Sequence, residues 1–235
     1  MNCVLHGNYT EICRCILKIE IMRKCILFFI TVLLVQSLNA QTPYRAESIP
    51  SFVSKSSTDS IACIERMAAY YFHKILNNYR KEKSLVELHW NDTLWIAGMN
   101  HSMWMNRQHE LTHTERAKTW YFTGRHVGDR VVYASNGNDH LHWSPENALY
   151  NSSTKGKDIS TIALNMAEHA FDQWKGSPGH NKNMLKENSR SHDVAFVITS
   201  EHIWVTDVFA FNGNGKTKIE FPTSTIFKLK KLKVE

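Results

Sequence analysis

The stretch WKGSPGHNKNML, residues 174–185, decides how this chain is interpreted. Ser177, Pro178 and Gly179 predict a tight turn, because Pro presets its backbone angle and Gly adopts conformations that other residues avoid. A segment carrying Trp174 enters the turn, and an amphipathic piece leaves it. Since His180 stands directly behind the turn, the stretch raises the question of what a histidine in this position serves.

Three segments have apolar residues at spacings of three and four, which indicates amphipathic helices. We expect these helices over about 61–81, 91–108 and 158–174. Their apolar faces are Ile61, Ile64, Ala68, Tyr71, Ile75 and Tyr79 in the first, Leu94, Ala97, His101 and Trp104 in the second, and Ile159, Ile162, Met166, Ala170 and Trp174 in the third. The place of His101 on an apolar face predicts a core histidine rather than a ligand.

The rest of the chain divides into an irregular middle and a late hairpin. Residues 112–157 hold four of the ten glycines and show no sustained period, which is typical of a long functional loop. The β-branched runs DVAFVIT (193–199) and HIWVTDVFAF (202–211) are separated by two residues only, which predicts a hairpin. Three helices, an irregular middle and late strands predict an α+β single domain.

The composition is that of an ordinary globular protein, with 235 residues of which 43% are hydrophobic and 21% charged. The formal net charge of +6 lies partly at the two ends of the chain. No basic stripe is interleaved with aromatic residues, so we expect no nucleic acid partner.

The N-terminus has the pattern of an export signal. Residues 22–24 are MRK, residues 25–35 are mostly apolar, and small polar residues end at Ala40, which predicts a secretory signal peptide cleaved after Ala40. The apolar run is shorter than the roughly 20 residues of a spanning helix, so we expect no stable membrane span after cleavage. An uncleaved anchor is the alternative. We also expect Met22 to be the true start of translation.

These features divide the chain into four parts. We expect an upstream segment and signal peptide over 1–40, a linker over 41–57, the folded domain over 58–213 and a basic C-terminal strand or tail over 214–235. Lysines alternate with apolar residues in the tail, which is typical of an edge strand guarded against aggregation, and a membrane-surface role is the alternative.

Signal cleavage leaves Cys63 as the one remaining cysteine, so we expect no internal disulfide. We interpret Cys63 as a small buried hydrophobic residue, with a reactive thiol as the alternative. An exported domain without disulfides depends on its apolar core for stability.

The string HELTH at 109–113 formally matches the H-E-x-x-H motif of zinc proteases. That motif requires both histidines on one helical turn, with the glutamate as general base. The second predicted helix frays near Gln108, and the threonines that follow continue it poorly. We therefore keep a site at His109, Glu110 and His113 only as an alternative.

Three further strings, LTHTE (111–115), SPENALY (144–150) and WKGSPGHNKNML (174–185), follow two amphipathic helices in this order. Together they resemble the CAP superfamily, which covers cysteine-rich secretory proteins, insect venom antigens and plant pathogenesis-related proteins. The disulfide-free bacterial branch is most similar, and its L-N-x-x-R helix corresponds to LNNYR at 76–80. The resemblance covers about residues 60–211, and the Ser-Pro-Gly-His string is its most specific part.

The resemblance implies a three-layer α-β-α sandwich with a central antiparallel sheet and a cleft. It also implies two cleft histidines that can bind a divalent metal such as zinc, here His113 and His180, and an acidic residue, here Glu146. The turn would then present His180 opposite His113. Eukaryotic members have a second glutamate shortly after the tryptophan of the third helix, whereas this chain has WKGS at 174–177.

The resemblance allows two functions of different class. The first is a secreted or periplasmic binding module for a small apolar ligand, a lipid, an envelope component or a partner protein. We expect exposed aromatic residues to form its rim, with a core role as the alternative, and the candidates are Trp120, Tyr121, Phe122, Trp143 and Tyr150.

The second function is a metal-assisted hydrolase, a peptidase or esterase, that uses water held between His113 and His180 with Glu146 as a catalytic base. A metal bound by two neutral imidazoles keeps coordination positions open for water. The site lacks a nucleophilic side chain hydrogen-bonded to a base, which covalent catalysis requires. The sequence therefore favours the binding module. A third interpretation is that His113, Glu146 and His180 bond one another and only tie loops across the cleft.

Overall fold

A computed structural model describes residues 43–45, 59–137, 143–152 and 155–212. The chain separates into two compact units, residues 1–42 and 43–235, and all described residues belong to the second unit. The predicted signal peptide, the Met22 start, most of the linker and the basic tail lie outside the described residues. No helix in these ranges is both long enough and apolar enough to cross a membrane.

Within the described ranges, five helices and four strands confirm the predicted α+β class. The helices are α1 (Ser60–Glu82), α2 (Asp92–Gln108), α3 (Val127–Ala134), α4 (Ile159–Gly176) and α5 (Pro178–Met184). The strands are β1 (His89–Trp90), β2 (Trp143–Asn151), β3 (Ser191–Ile198) and β4 (Ile203–Ala210).

The three predicted helices correspond to α1, α2 and α4, and the predicted hairpin corresponds to β3 and β4. Side-chain caps start each of these helices: Asp59 accepts from the amides of Ile61 and Ala62, Asn91 caps α2 in the same way, and Asp158 caps α4. Residues 112–157, expected to be irregular, contain α3 and β2 instead. Helix α3 is too short to show a helical periodicity of apolar residues, and polar residues interrupt the alternation that would mark β2 as a strand.

The sheet has the strand order β1-β3-β4-β2. Strand β4 pairs antiparallel with both β3 and β2, whereas β1 pairs parallel with β3, so the sheet is mixed rather than antiparallel throughout. Parallel pairing needs a long crossover connection, and α2 to α5 lie between β1 and β3 in the chain. A strand of two residues is too short to show the alternation of apolar and polar residues that marks a strand, so β1 could not be predicted.

Successive side chains of the two central strands point to opposite faces of the sheet. Val194 and Phe196 pack in one apolar cluster with α1 and α4, while Ala195 and Val208 pack in another with α2 and α3. Helices therefore cover both faces of the central strands. Gly98 lets α2 lie close to β4, because a Cβ atom at this position would be 2.8 Å from the carbonyl oxygen of Thr206.

Candidate functional site

Glu146 and His113 meet although 33 residues separate them in the chain. Glu146 stands on β2 directly after an irregularity in its pairing with β4, and its side chain is 3% exposed. His113 lies in the loop between α2 and α3, with 56% of its side chain exposed. The Nδ1 atom of His113 is 3.2 Å from Oε1 of Glu146, so the structure brings these two predicted residues into contact.

Arg130 on α3 is the residue of this site that the sequence interpretation missed. Its Nη2 donates to Oε1 of Glu146 at 2.6 Å, and its Nη1 donates to the carbonyl oxygens of His113 and Arg125 at 3.4 and 3.3 Å. Arg130 is 1% exposed. One guanidinium therefore holds both the carboxylate and the loop that carries His113. The sequence feature that marks Arg130 is a charged residue on the apolar face of α3. This face can be recognised only after the helix itself has been identified.

A second histidine–carboxylate pair lies behind the first. Nδ1 of His101 is 3.0 Å from Oε1 of Glu115, and Nε2 of His101 is 2.8 Å from the carbonyl oxygen of Thr112. Glu115 also accepts from the amide of Thr123 at 2.8 Å. His101 is fully buried, which confirms the predicted core histidine. The pair fixes the loop from Thr112 onward, and His113 directly follows in that loop.

The charges around Glu146 keep it ionised. Burial alone would raise the pKa of Glu146, but the positive charges of Arg130 and His101 and the hydrogen bonds from His113 and Arg130 lower it to about 2. The other carboxylate oxygen, Oε2, is buried without a hydrogen-bond partner among the described residues. Buried polar atoms are nearly always paired, so this oxygen is available to a ligand or a water molecule.

The structure places His180 on α5, half-buried and near His113. Burial, and then the charge of His113, lower the pKa of His180, whereas the hydrogen bond with Glu146 raises the pKa of His113. Two amides hold α5 against β2: Asn147 donates to the carbonyl oxygen of His180 at 3.2 Å, and Asn183 donates to Oδ1 of Asn147 at 2.9 Å. The predicted tight turn is instead a break of one residue, Ser177, between α4 and α5, and α5 brings His180 to the end of β2 where Glu146 lies.

His113 and Glu146 border a cleft of about 680 Å³, whereas His180 is not among the residues that line it. Val127 and Val132 of α3 contribute apolar walls, and the polar part of the lining is formed by His113, Thr114, His126, Asp129, Glu146 and Asn183. Among the predicted rim residues whose side chains the structure describes, Trp120, Tyr121, Phe122 and Tyr150, none lines this cleft. Trp120 and Tyr150 are exposed, Phe122 is half-buried, Tyr121 is buried in the core, and the side chain of Trp143 lies outside the described part of the structure.

The zinc-protease alternative at HELTH is wrong. Helix α2 ends at Gln108, and His109 caps it in the left-handed conformation with φ of 52°. Residues 109–113 are not helical, so His109 and His113 do not share a helical turn. The terminal Met105 and Asn106 carbonyls accept from the His109 amide instead, which uses this residue as a cap.

A metal at this cleft would use few protein ligands. The described ranges contain no group of three or more His, Cys, Asp or Glu side chains arranged to hold a metal ion. The Nδ1 atom of His113 faces Glu146, which leaves Nε2 and the ring of His180 as donor atoms. Two imidazoles, one of them oriented by a carboxylate from behind, are donors of the chemical type that divalent ions bind.

A third polar cluster lies on the other side of the sheet, between α1 and the central strands. The Nδ1 atom of His73 is 2.8 Å from Nε2 of His192, and Nδ1 of His192 is 2.8 Å from Oδ1 of Asp207. Burial lowers the pKa of both histidines to about 3, with smaller contributions from neighbouring positive groups, and burial raises the pKa of Asp207. The sequence interpretation missed this cluster, because its members come from three separate elements.

Asn77 fixes the direction of the hydrogen bonds in this cluster. It accepts from the amide of Leu88 at 2.8 Å and donates to the carbonyl oxygen of Leu88 at 3.0 Å, which sets the orientation of its own amide group. The same Nδ2 is 3.2 Å from Nε2 of His73, so that ring nitrogen is the acceptor. His73 therefore donates to His192, and His192 donates to Asp207.

A sequence profile of the CAP family, described as the cysteine-rich secretory protein family, matches residues 73–208, more than half of the chain. The chain belongs to the CAP family. The matched range runs from the middle of α1 to β4 and includes His113, Glu146 and His180. The suspected membership is thereby confirmed.

Three solved structures are similar to this CAP protein at low sequence identity. An outer surface protein of Borrelia burgdorferi has a TM-score of 0.43 and 14% identity, covering 59% of this chain and 87% of its own. An extracellular protein of Bacillus anthracis str. Ames that contains an SCP domain has a TM-score of 0.46 and 18% identity, covering 65% and 43%.

The third is a cysteine-rich secretory protein of Staphylococcus aureus, with a TM-score of 0.38 and 12% identity, covering 62% of this chain and 38% of its own. This CAP protein thus spans less than half the length of the Bacillus and Staphylococcus proteins. Comparison with curated proteins gives no match.

Proposed function

We propose that this protein is an exported CAP-domain binding module whose cleft holds a divalent metal, such as zinc, between His113 and His180. The observation that carries the proposal is the contact of 3.2 Å between His113 Nδ1 and Glu146 Oε1. A carboxylate behind the second nitrogen of a histidine is the usual support of a metal-binding imidazole, because it fixes the tautomer and orients the ring.

The environment of His180 supports the same assignment. A metal binds the neutral form of imidazole, and the lowered pKa of His180 keeps that form populated at neutral pH. Its carbonyl group is fixed by Asn147, so the residue stands on an anchored part of the chain. Both histidines are supplied by loops or short helices that buried polar groups hold in place.

Two imidazoles leave coordination positions open, which a ligand of the module can occupy. The apolar walls from Val127 and Val132 fit a ligand with an apolar body, such as a lipid or an envelope component, and a partner protein could present the same chemistry. Export to a secreted or periplasmic location rests on the predicted signal peptide that ends at Ala40.

A metal-assisted hydrolase is the second candidate, and the unpartnered Oε2 atom of Glu146 favours it. This oxygen could accept a proton from water bound between His113 and His180, and the metal would supply the polarisation of that water. Glu146 is nevertheless a poor base near neutral pH, because Arg130 lies 2.6 Å away and the pKa of Glu146 is about 2. We therefore place the binding module first.

The test is a calorimetric titration of zinc into the mature chain, residues 41–235. We expect one site in the wild type, loss of that site in His113→Ala and in His180→Ala, and binding about 10-fold to 100-fold weaker in Glu146→Gln. His202→Ala is the matched control, because His202 lies at the β3–β4 turn, away from the cleft, and is also partly exposed.

Absence of zinc binding in the wild type would overturn the metal assignment and leave the three side chains as a tie between loops. Retained binding in either single variant would overturn the two-histidine geometry. Hydrolysis of peptide or ester substrates that a chelator abolishes, and that zinc restores, would move the hydrolase ahead of the binding module.

A further inference from the structure

Residues 43–45 are bound to the domain, although residues 46–58 separate them from α1 in the sequence. The backbone of Tyr44 is held by one side chain on α2. Its amide donates to Oδ1 of Asn100 at 2.9 Å, and its carbonyl oxygen accepts from Nδ2 of Asn100 at 2.8 Å. A single amide group thus pairs with both polar groups of one extended residue, as a neighbouring strand would.

Asn100 is unusual for its position. It lies in the interior of α2 and is fully buried, where asparagine is a poor helix former. A buried amide must find hydrogen-bond partners, and the two that the structure gives its side chain belong to Tyr44. The helix therefore carries a buried polar side chain that hydrogen-bonds the backbone of one residue in this segment.

The side chains of the segment are also recognised. The ring of Tyr44 packs edge-on against Tyr121 with ring centroids 6.4 Å apart, and it joins the apolar clusters around α2. The guanidinium of Arg45 lies 4.0 Å from the centre of the Tyr133 ring. It also donates to Oδ1 of Asn136 at 2.6 Å.

A further hydrogen bond fixes the residue before Tyr44. The hydroxyl group of Tyr133 donates to the carbonyl oxygen of Pro43 at 3.4 Å, and Nη1 of Arg45 donates to the carbonyl oxygen of Tyr133 at 3.3 Å. Three consecutive residues are thus each contacted by polar or aromatic groups of the domain, which is more than chance contact with a passing chain would give.

We propose that Asn100, Tyr121, Tyr133 and Asn136 form a peptide-binding site for an extended aromatic–arginine segment, and that the chain's own residues 43–45 occupy it. The amide of Asn100 binds any backbone, while the Tyr121 contact and the Tyr133–Asn136 pair select an aromatic residue followed by arginine. This site is separate from the metal proposed at His113 and His180, and neither proposal depends on the other.

The site connects the start of the mature chain to the cleft. Tyr133 and Asn136 belong to α3 and the turn behind it, and Val127 and Val132 of the same helix line the cleft. A segment bound to α2 and α3 together holds this wall in place. Cleavage after Ala40 would leave three residues, including the new N-terminus, before Tyr44.

Covalent attachment explains why a contact of three residues is stable. A tethered segment has an effective concentration in the millimolar range, so it occupies a weak site that a free peptide would fill only at high concentration. An external peptide of the same class should therefore compete poorly with the intact chain and bind readily once the tether is cut.

The experiment uses the mature chain, residues 41–235, with a protease site inserted within residues 46–58. Native mass spectrometry after cleavage tells whether the short segment has left the domain. A fluorescent peptide of residues 41–48 is then titrated by anisotropy against cleaved and uncleaved protein. We expect saturable binding to the cleaved protein after the segment is released, and binding at least about tenfold weaker to the uncleaved protein.

Peptide variants test the recognition of each side chain. Tyr44→Ala and Arg45→Ala peptides should each bind about fivefold weaker, which corresponds to loss of one aromatic or cation–π contact. Asn136→Gly in the protein keeps the left-handed backbone of this half-buried turn residue, whose φ is 57°, and should weaken the unchanged peptide similarly. His113→Ala should leave peptide binding unchanged, which separates this site from the metal site.

Each outcome decides the proposal. Retention of the cleaved segment on the domain, or rebinding of the peptide with the expected variant effects, supports the site. Release of the segment without rebinding of the peptide overturns it. Equal binding of a peptide with the same residues in scrambled order also overturns it, because the contacts to Tyr44 and Arg45 would then confer no selectivity.

Discussion

The guanidinium of Arg130 lies 2.6 Å from the carboxylate of Glu146, and both side chains are buried. Glu146 was expected either to act as a base in the cleft or to bond the two histidines, and its Oε1 atom is committed to Arg130 and His113. The carboxylate therefore holds its neighbours through one oxygen, while the other, Oε2, is buried without a hydrogen-bond partner among the described residues. This division is consistent with a positioning role for Glu146 rather than with general base catalysis.

Removal of the positive partner should destabilise the domain strongly at neutral pH. We expect Arg130→Met to lower the free energy of unfolding by about 3–5 kcal/mol, because it leaves a buried carboxylate without its cation. Urea unfolding monitored by tryptophan fluorescence measures this change. The double variant Arg130→Met with Glu146→Gln should recover much of the loss, since the second change removes the uncompensated charge.

The same variant should reverse the pH dependence that Glu146 contributes. In the wild type the folded pKa of Glu146, about 2, lies below the ordinary value of 4.5, so its contribution is present above pH 4.5 and is lost as the pH falls through 2. Without Arg130, burial raises this pKa, so the loss of stability of the variant relative to the wild type should shrink as the pH falls from 7 toward 4.5. A penalty that stays constant across this range would contradict the charge argument.

The histidines between α1 and the sheet should set the acid limit of the domain. His73 and His192 have pKa values near 3 in the fold, below the 6.5 of an ordinary histidine, so the unfolded chain binds more protons between these values. Their contribution to stability is complete above pH 6.5 and falls as the pH drops toward 3. The raised pKa of Asp207 acts in the opposite direction, because protonation of Asp207 favours the fold.

Unfolding free energies measured between pH 7 and pH 4 test this expectation. The double variant His73→Gln with His192→Gln should show a shallower loss of stability over this range than the wild type, even if it is less stable at pH 7. His202→Gln, which changes an exposed histidine, should keep the wild-type slope. An unchanged slope in the double variant would mean that other groups control acid unfolding.

Asn77 should contribute far more to the free energy of unfolding than Asn78, its neighbour in the sequence. Its side chain satisfies both backbone groups of the buried Leu88, so Asn77→Ala should cost about 1–3 kcal/mol by leaving these groups without partners. Asn78→Ala is the matched control, because Asn78 is exposed on the same helix, and alanine there should be neutral or slightly stabilising. Comparable losses from the two changes in chemical denaturation would contradict this role of Asn77.

Two helical glycines should respond in opposite directions to alanine. Gly98→Ala should destabilise the domain by about 1–3 kcal/mol, since its Cβ atom would meet the backbone of Thr206 at 2.8 Å and push α2 away from β4. Gly176→Ala has open space around the new methyl group and should stabilise α4 by up to about 1 kcal/mol. Thermal unfolding of the two variants measures both effects. Equal shifts in the same direction would show that close packing is not what selects glycine at 98.

The parts of this structure that the sequence revealed are those with a local signal. The apolar spacing of α1, α2 and α4 and the β-branched runs of β3 and β4 are properties of short windows, and all five were predicted near their observed bounds. A break before His180 was equally visible, because Pro178 starts a new helix, but Gly179 lies inside α5 and not in the predicted tight turn. Conversely, β1 spans two residues and α3 spans eight, which is too short for a period to emerge.

The candidate site was predictable only where a family motif marks it. His113, Glu146 and His180 stand in such motifs, whereas Arg130, Glu115 and Asn100 have functions that arise from contacts between distant parts of the chain. Burial of a charged or polar residue within an apolar pattern was the available signal for Arg130 and Asn100. Burial alone does not reveal which group a polar side chain contacts, because that group is determined by how α2, α3 and β2 pack together.

The strand order also constrains when the domain can fold. The two central strands, β3 and β4, are the last described elements in the sequence, and both outer strands depend on them for pairing. A chain that emerges N-terminus first therefore holds β1 and β2 without partners until residues 191–210 have appeared. Sheet formation must wait for nearly the whole domain, which makes folding slow relative to local helix formation. The same delay would suit the export that we propose, because an emerging chain would stay unfolded for longer.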